Sequence, residues 1–139
     1  MKPVLLDASV IVALFQRDAE RHGDVVAVVS GLNRPLVTCE AVLSESCHLL
    51  RRFRGAPEAV IANVETGIFE VPFAFARAAA SVSALMRKYR DVPASFADAC
   101  LIQMADELDA GDILTLDRDF LTYRWRRNRP FEFLVPVKG

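Results

Sequence analysis

In the stretch PVLLDASVIVALF (residues 3–15), a single carboxylate, Asp7, interrupts a segment that is otherwise apolar or small, and the role of this carboxylate has to be explained. PVLL has the composition of a short buried strand, and SVIVALFQ, after Asp7, has the pattern of a helix. A carboxylate in apolar surroundings is costly unless it is hydrogen-bonded, paired or bound to a metal. Asp7 is therefore predicted to be an N-cap of the helix, part of a functional site, or both.

The rest of the chain repeats this alternation of short apolar strands and amphipathic helices. Strands are predicted at RPLVT, IFEVP, DILTL and FEFLV, and helices at residues 18–31, 40–53, 57–67, 75–89 and 94–108. A short turn or helix is expected after DILTL. This order predicts an α/β fold in which helices cover both faces of a parallel sheet. Functional sites of such sheets form at the carboxyl ends of the strands, where Asp7 and Asp117 fall.

Length and composition fit one domain, predicted to span residues 1–139, with 53% hydrophobic residues for its core. The net charge of −1 does not mark the whole chain as a nucleic-acid binder. The three cysteines form no CxxC pair and are expected to be small buried hydrophobes in a reducing compartment. We find no secretory signal and no apolar run of about 20 residues, so we expect a cytoplasmic protein with no membrane partner.

Three further carboxylates break their local patterns. Glu45 has Val42 and Leu49 at helical spacing, which predicts that it faces inward, on or beside the apolar stripe of its helix. Asp98 likewise has Ile102 on its face and is predicted to point inward near the start of its helix. Asp117 follows the strand DILTL as Asp7 follows the first strand.

The predicted acidic cluster consists of Asp7, Glu45, Asp98 and Asp117. Four adjacent carboxylates repel one another unless protons or metal ions offset their charge. Mg²⁺ and Mn²⁺ prefer all-oxygen sites and activate water or stabilise charge on a phosphoryl group, so we predict that all four acids are catalytic metal ligands. Taken singly, each acid also has a structural explanation: a cap for Asp7 or Asp117, a helix-dipole interaction for Asp98, and a buried ion pair for Glu45.

Four motifs occur in the order LDAS, TCEAVLSES, YRDVPASFADACLIQMAD and ILTLDRDF. In this order they resemble the PIN-domain ribonucleases, in particular the VapC-like toxins of type II toxin–antitoxin systems, over residues 5–133. The resemblance implies a PIN-like three-layer α/β/α sandwich with a five-stranded parallel sheet. It also implies an endoribonuclease that depends on Mg²⁺ or Mn²⁺ and hydrolyses RNA by metal-activated water. A cognate antitoxin and a homodimer are the implied protein partners.

The resemblance also assigns residues by their position in the motifs. The four predicted acids match the four acids of the family, and Asp119 is a possible substitute for Asp117 in the fourth role. Ser9 and Thr115 match small hydroxyl positions that support the first and last acids.

A basic segment, YRWRRNRP (residues 123–130), follows the fourth acid. Arginines bind phosphates and aromatic rings stack on bases, so Arg124, Arg126 and Arg127 are predicted to bind RNA, as a rim beside the acidic pocket, with Tyr123 and Trp125 interleaved. The alternative is a solvated loop with its tryptophan packed on the domain surface.

Two other functions stay open at this point. A haloacid-dehalogenase-type phosphatase also begins with a strand that ends in aspartate, but it typically has a second aspartate two residues later, where this chain has Ser9. A non-catalytic PIN-like interaction module is the second alternative, against which the complete set of acids argues.

Overall fold

A parallel sheet of five strands runs through the molecule, which the computed structural model describes over residues 1–137. The strands of the chain are β1 (Val4–Leu6), β2 (Leu36–Val37), β3 (Phe69–Glu70), β4 (Asp112–Leu114), β5 (Arg124–Trp125), β6 (Arg129–Pro130) and β7 (Glu132–Phe133). The sheet has the order β3-β2-β1-β4-β7, and each neighbouring pair is parallel. β5 and β6 form a separate antiparallel hairpin.

In the part of the chain that the structure describes, six helices and one 3₁₀ turn connect the strands. The helices are α1 (Ala8–Phe15), α2 (His22–Gly31), α3 (Glu40–Leu49), α4 (Ala56–Glu65), α5 (Phe75–Lys88) and α6 (Phe96–Leu108), and the 3₁₀ turn is Arg118–Leu121. α1 packs on α2, α3 and α4, while α5 packs on α6. The predicted three-layer α/β/α sandwich with a five-stranded parallel sheet is confirmed. Within residues 1–137, no helix combines the length and apolar character needed to cross a membrane.

Several helix boundaries differ from the prediction for local reasons. α6 begins at Phe96 rather than at residue 94, because Ser95 is its N-cap and accepts the N–H of Asp98 at 3.0 Å. α3 ends at Leu49, and turns lead from there to Gly55, whose φ of +80° suits glycine. α2 begins only at His22.

The β5–β6 hairpin was not predicted, because its turn lacks the usual residues. Arg126 and Arg127 have φ of 46° and 73°, a region that glycine and asparagine favour. Within the hairpin, Trp125 Nε1 donates to the Pro130 carbonyl at 3.1 Å, and the Trp125 ring packs against Gly111, just before β4. A Cβ atom on Gly111 would lie 2.1 Å from that same Nε1, so only glycine permits this contact.

Candidate active site

The register of β1 and β4 brings Asp7 and Thr115 side by side. Leu6 is paired with Leu114 in the parallel ladder, and the Asp7 N–H donates to the Leu114 carbonyl at 3.0 Å. The next residue along each strand is therefore Asp7 on one side and Thr115 on the other. The predicted position of Asp7, at the carboxyl end of the first strand, follows from this register.

Two hydroxyl groups hold one oxygen of the Asp7 carboxylate. Thr115 Oγ1 donates to Asp7 Oδ2 at 2.7 Å, and Ser9 Oγ donates to the same oxygen at 2.8 Å. Ser9 Oγ in turn accepts the Leu116 N–H at 2.9 Å. Thr115 Oγ1 accepts the Asp117 N–H at 3.0 Å. Because a hydroxyl has a single proton, each of these groups receives a backbone N–H while it directs its own proton at the carboxylate.

The environment of Asp7 makes its charge costly. The residue is 4% exposed, and burial raises the pKa of its carboxyl group. The hydrogen bonds from Thr115 and Ser9 lower that pKa, whereas the charge of Asp117 raises it. Asp7 occupies the N-cap position of α1, but its side chain makes no capping hydrogen bond. The capping alternative is therefore wrong for this side chain, whose partners are the two hydroxyls.

The first turn of α6 presents Asp98 to the same site. Asp98 is buried, as its pattern predicted, and its Oδ2 accepts the hydroxyl of Tyr123 at 2.9 Å. Burial raises the pKa of Asp98 to about 6. The hydrogen bond from Tyr123 lowers this pKa, and the charges of Asp7 and Asp117 raise it. The ionisation of Asp98 is thus opposed mainly by burial and, to a smaller extent, by the charges of the acids around it.

Tyr123 is a site residue that the sequence interpretation missed. The expectation that Tyr123 and Trp125 are interleaved for base stacking is wrong, because both side chains are buried, Tyr123 completely. Tyr123 makes edge-to-face contacts with Tyr89 and Phe120, each with ring centroids 5.0 Å apart. Burial raises the pKa of its hydroxyl. Nothing in the local sequence indicates that this tyrosine meets Asp98, because only the fold brings the two together.

The 3₁₀ turn after β4 contributes two further acids. Asp117 is the N-cap of this turn, and its Oδ1 accepts the Asp119 N–H at 2.9 Å. One carboxylate oxygen from each of Asp98, Asp117 and Asp119 lies within 4.8 Å of the other two. Both candidates for the fourth acid therefore lie in the cluster, Asp117 half-buried and Asp119 exposed.

Glu45 lies at the same site but not in the environment that was predicted. The residue is exposed rather than turned toward the core. The buried side of α3 is formed by Val42, Leu43 and Ser46. Glu45 and Leu49 lie beside this stripe and line the acidic cleft. Partial burial raises the pKa of Glu45, and the charges of Asp7 and Asp117 raise it further.

These acids line one cleft with a volume of about 290 Å³. Its acidic lining consists of Asp7, Glu45, Asp98, Asp117 and Asp119. The donor atoms are all carboxylate oxygens, the ligands that hard divalent cations prefer. Burial raises the pKa values of Asp7 and Asp98, and repulsion from the neighbouring acids raises them further; a cation would relieve this repulsion. The residues present therefore fit a divalent metal ion.

The β5–β6 hairpin lies toward the other end of α6. The backbone N–H and the guanidinium of Arg126 contact Asp106, and Arg126 also pairs with Asp109 at 3.4 Å. Asp106 lies eight residues beyond Asp98 on α6, which corresponds to about 12 Å of helix. The predicted rim beside the acidic pocket is therefore wrong for Arg126.

The two other arginines predicted to bind RNA differ in their contacts with the rest of the protein. Arg124 is half-buried, and its guanidinium donates to the carbonyls of residues 121, 122 and 123. Arg127 is exposed at the hairpin turn. Neither residue lines the acidic cleft. Their role in RNA binding stays a prediction.

The fold and the acidic cleft define the class of protein, and a comparison of the sequence with known families agrees. Residues 4–125 match the family model of the PIN domain, and the chain belongs to this family. Among solved structures, it is similar to Mycobacterium tuberculosis VapC20, described as a toxin that cleaves the sarcin–ricin loop. The TM-score is 0.77 and the identity 21%, with 84% of this chain and 91% of that chain covered. No curated protein matches the sequence.

Proposed function

We propose that the protein is an endoribonuclease that hydrolyses RNA phosphodiester bonds with Mg²⁺ or Mn²⁺, and that it is the toxin of a toxin–antitoxin pair. Its membership of the PIN family and its fold similarity to VapC20 support the proposal. The observation that carries it is the convergence of Asp98, Asp117 and Asp119 beside the buried Asp7. Asp7 and Asp98 are buried beside these other acids, and like charges held close together destabilise the fold unless a proton or a cation offsets them.

The residues of the cleft have distinct roles in this proposal. Asp98, Asp117 and Asp119 would hold the cation, with Asp7 and Glu45 completing the acidic lining. A bound Mg²⁺ or Mn²⁺ supplies a polarised water and neutralises charge on the scissile phosphate. The protein itself keeps the carboxylates in place before substrate arrives.

Hydroxyl groups provide this preorganisation. Ser9 and Thr115 fix the orientation of Asp7, and Tyr123 fixes that of Asp98. Each hydroxyl also stabilises the ionised form of its carboxylate, which is the form that binds a cation.

RNA cleavage by isosteric variants tests the proposal. We expect the wild-type protein to cleave RNA with Mn²⁺ or Mg²⁺ and to lose this activity in EDTA. Asp7→Asn and Asp117→Asn should lower the rate by about 100-fold or more, because each removes a charge from the site. Glu65→Gln, an exposed acid at the end of α4, is the matched control and should cleave normally.

Two results would contradict the proposal. Cleavage that is equally fast in EDTA would exclude the metal, and unchanged cleavage by both aspartate variants would exclude the cleft. Calorimetry with Mn²⁺ separates the remaining alternative, because a non-catalytic interaction module need not bind the ion. Absence of Mn²⁺ binding in the wild-type protein would favour that module.

We further propose that the basic hairpin contacts the RNA backbone outside the cleft, with Arg127 more available than Arg124 or Arg126. Exposure of Arg127 and its freedom from the contacts that hold the other two support this assignment. Arg127→Ala should weaken RNA binding and reduce its salt dependence by about one phosphate contact. Arg77→Ala, an exposed arginine on α5, is the control. Equal affinities and salt slopes for the two variants would remove the hairpin from the interface.

The proposed partners are a cognate antitoxin and a second copy of the chain, in the cytoplasm. The motif resemblance to VapC-like toxins supports both partners. Where a small gene lies immediately upstream, its co-expression should relieve growth arrest that the protein causes alone. Sedimentation of the purified protein tests the homodimer, which a single species with the mass of one chain would exclude.

A further inference from the structure

We propose that the cavity between α3 and the start of α6 binds the unpaired base of a nucleotide next to the scissile phosphate, with Phe96 as its stacking surface and His48 at its polar edge. This inference rests on the proposed ribonuclease activity, because it assigns a second part of the RNA to a surface beside the acidic cleft. Neither residue was among the predicted site residues.

The cavity lies directly beside the acidic cleft. Its volume is about 420 Å³, within the range of about 300–1,000 Å³ that is usual for small-ligand sites. Glu45 of α3 and Ser95, the N-cap of α6, line both the cavity and the cleft. A nucleotide whose phosphate lies at the acids can therefore place its own base, or that of its neighbour, in this cavity.

The α3 wall of the cavity is mostly polar, although it has the spacing of a packed helix face. Ala41, Ser44, Glu45 and His48 occupy positions i, i+3, i+4 and i+7, which form one side of a helix. The last three of these residues are exposed. A polar face opposite an aromatic ring suits a flat ligand with hydrogen-bonding groups at its edge, and a nucleobase has this chemistry.

The opposite wall provides the aromatic ring. Phe96 is the first residue of α6 and is 43% exposed. Its ring meets the ring of Phe75 at an interplanar angle of 87°, with centroids 5.0 Å apart, and this contact holds it in place. A ring that is already fixed loses little conformational entropy when a base stacks on it. Because only an unpaired base exposes its faces, the ligand is single-stranded RNA.

The charge of the lining favours a base over a phosphate. Among the described residues, those that line the cavity include the acid Glu45 but no lysine or arginine. The carboxylate of Glu45 would repel a phosphate, whereas it can accept a hydrogen bond from the amino group of a base. The cavity is therefore suited to the base of a nucleotide rather than to its backbone.

Arg51 supports His48 at the polar edge. The guanidinium of Arg51 donates to the His48 carbonyl at 2.8 Å and lies 3.3 Å from His48 Nε2. Because a guanidinium can only donate, this contact makes Nε2 the acceptor and leaves Nδ1 as the N–H donor of the neutral ring. Arg51 is itself exposed and places a positive charge just outside the cavity, where a neighbouring phosphate can bind.

The test compares wild type, Phe96→Ala and Phe53→Ala on a short single-stranded RNA that the wild type cuts at one bond in Mn²⁺. Phe53 is the matched control, because it is 36% exposed and lines neither the cavity nor the cleft. Phe96→Ala should raise KM by about 5- to 10-fold with unchanged kcat, because it removes the stacking contact. Phe53→Ala should leave both constants unchanged.

Abasic nucleotides identify the base that enters the cavity. An abasic nucleotide is placed in turn at each position beside the cut, and it should raise the KM of the wild type strongly at one position. At that position wild type and Phe96→Ala should have equal KM values, because no base remains to stack. His48→Ala should instead reduce the differences in rate among the four bases at the same position.

Three outcomes would overturn the subsite while the proposed ribonuclease activity stands. The first is a KM of Phe96→Ala equal to that of Phe53→Ala. The second is an effect of Phe96→Ala that is the same with every abasic RNA, which would indicate a general structural change. The third is an unchanged KM together with loss of a protein complex in sedimentation, which would assign the ring to a protein interface.

RNA binding with Ca²⁺ in place of Mn²⁺ separates the subsite from the proposed activity. Fluorescence anisotropy of a labelled single-stranded RNA of mixed sequence should show about 5- to 10-fold weaker binding by Phe96→Ala than by Phe53→Ala. If the wild type binds this RNA in the same way but cleaves no RNA in Mn²⁺, the proposed function fails and the subsite stands. A wild type that neither binds nor cleaves RNA would overturn both.

Discussion

Replacing Asp98 by asparagine should stabilise the metal-free protein while it disables the acidic cleft. Asparagine has nearly the same shape as aspartate, and its carbonyl oxygen can accept the hydroxyl of Tyr123 as Asp98 Oδ2 does at 2.9 Å. The substitution therefore removes a buried charge without removing its hydrogen-bond partner. Such a gain in stability is expected where a buried acid is kept for function although its charge destabilises the fold.

The magnitude follows from the pKa of Asp98, which rises from 3.8 to about 6 in the folded protein. At about 1.4 kcal/mol per pH unit, ionised Asp98 destabilises the fold by up to about 3 kcal/mol at pH 8. The cleft is open to water, which screens part of this cost, so we expect Asp98→Asn to gain about 2 kcal/mol.

The pH dependence has a definite sign. A carboxyl group with a raised folded-state pKa binds its proton more tightly in the folded than in the unfolded chain, so the wild type becomes more stable as the pH falls from 8 toward 4. The stability gap between Asp98→Asn and the wild type should therefore shrink to roughly half at pH 5, where most folded molecules carry the proton.

Urea denaturation in EDTA at pH 8 and pH 5 measures both quantities, with Asp91→Asn, an exposed aspartate of the preceding loop, as the control. Asp91→Asn should change stability by less than about 0.5 kcal/mol at either pH. The reasoning fails if Asp98→Asn is less stable than the wild type at pH 8. It also fails if the gap between the two proteins is the same at both pH values.

Two further substitutions test the supports of the site. Thr115→Val should cost about 1–3 kcal/mol in urea denaturation and weaken Mn²⁺ binding in calorimetry, because it removes a buried donor. Thr38→Val, which loses the buried bond to the Leu6 carbonyl at 2.8 Å, should cost similar stability with unchanged Mn²⁺ binding; equal loss of binding would refute the role of Thr115. Gly111→Ala should lower stability by about 1–3 kcal/mol, because the added Cβ atom would overlap Trp125. The control is Gly31→Ala at the end of α2, where a Cβ atom meets open space. Equal thermal stabilities of the two variants would show that the overlap at Gly111 relaxes freely.

The positions of the strand-end acids could be predicted because local sequence and sheet register determine them. A short apolar run ending in Asp7 predicts a buried strand with a carboxylate at its end, and DILTL does the same for Asp117. Parallel pairing of these strands then brings both ends to one edge. The prediction needed only the rule that sites form at that edge.

The environment of Glu45 could not be predicted in the same way. Helical spacing identifies residues near the apolar stripe, but it does not distinguish a side that faces the core from a side that faces a cleft. Leu49, on the same face, shows the ambiguity, because it is 49% exposed despite its apolar side chain. Only the packing of α3 against its neighbours decides where the stripe ends.

The β5–β6 hairpin was missed for a different reason, because its sequence has no local signal for a turn. Two arginines in left-handed conformation replace the usual turn residues, so the segment has the composition of an exposed basic loop. The fold uses it instead to bury Tyr123 and Trp125 against α6 and the start of β4. An interpretation based on residue type assigned these rings to RNA, whereas long-range contacts assign one of them to the acidic site.

The five acids of the cleft divide into a buried pair and a more exposed set, and the supporting residues follow this division. Asp7 and Asp98 are buried, and the hydroxyl donors described above act on these two. Glu45 and Asp119 are exposed to water. Because a hydroxyl donor lowers the pKa of a buried carboxylate without introducing a positive charge, it preserves the negative potential of the cleft. An arginine in the same place would neutralise that potential and occupy the position of a cation. Hydroxyl partners such as Ser, Thr and Tyr therefore suit a cation-binding site. A structural ion pair would instead use a positively charged partner.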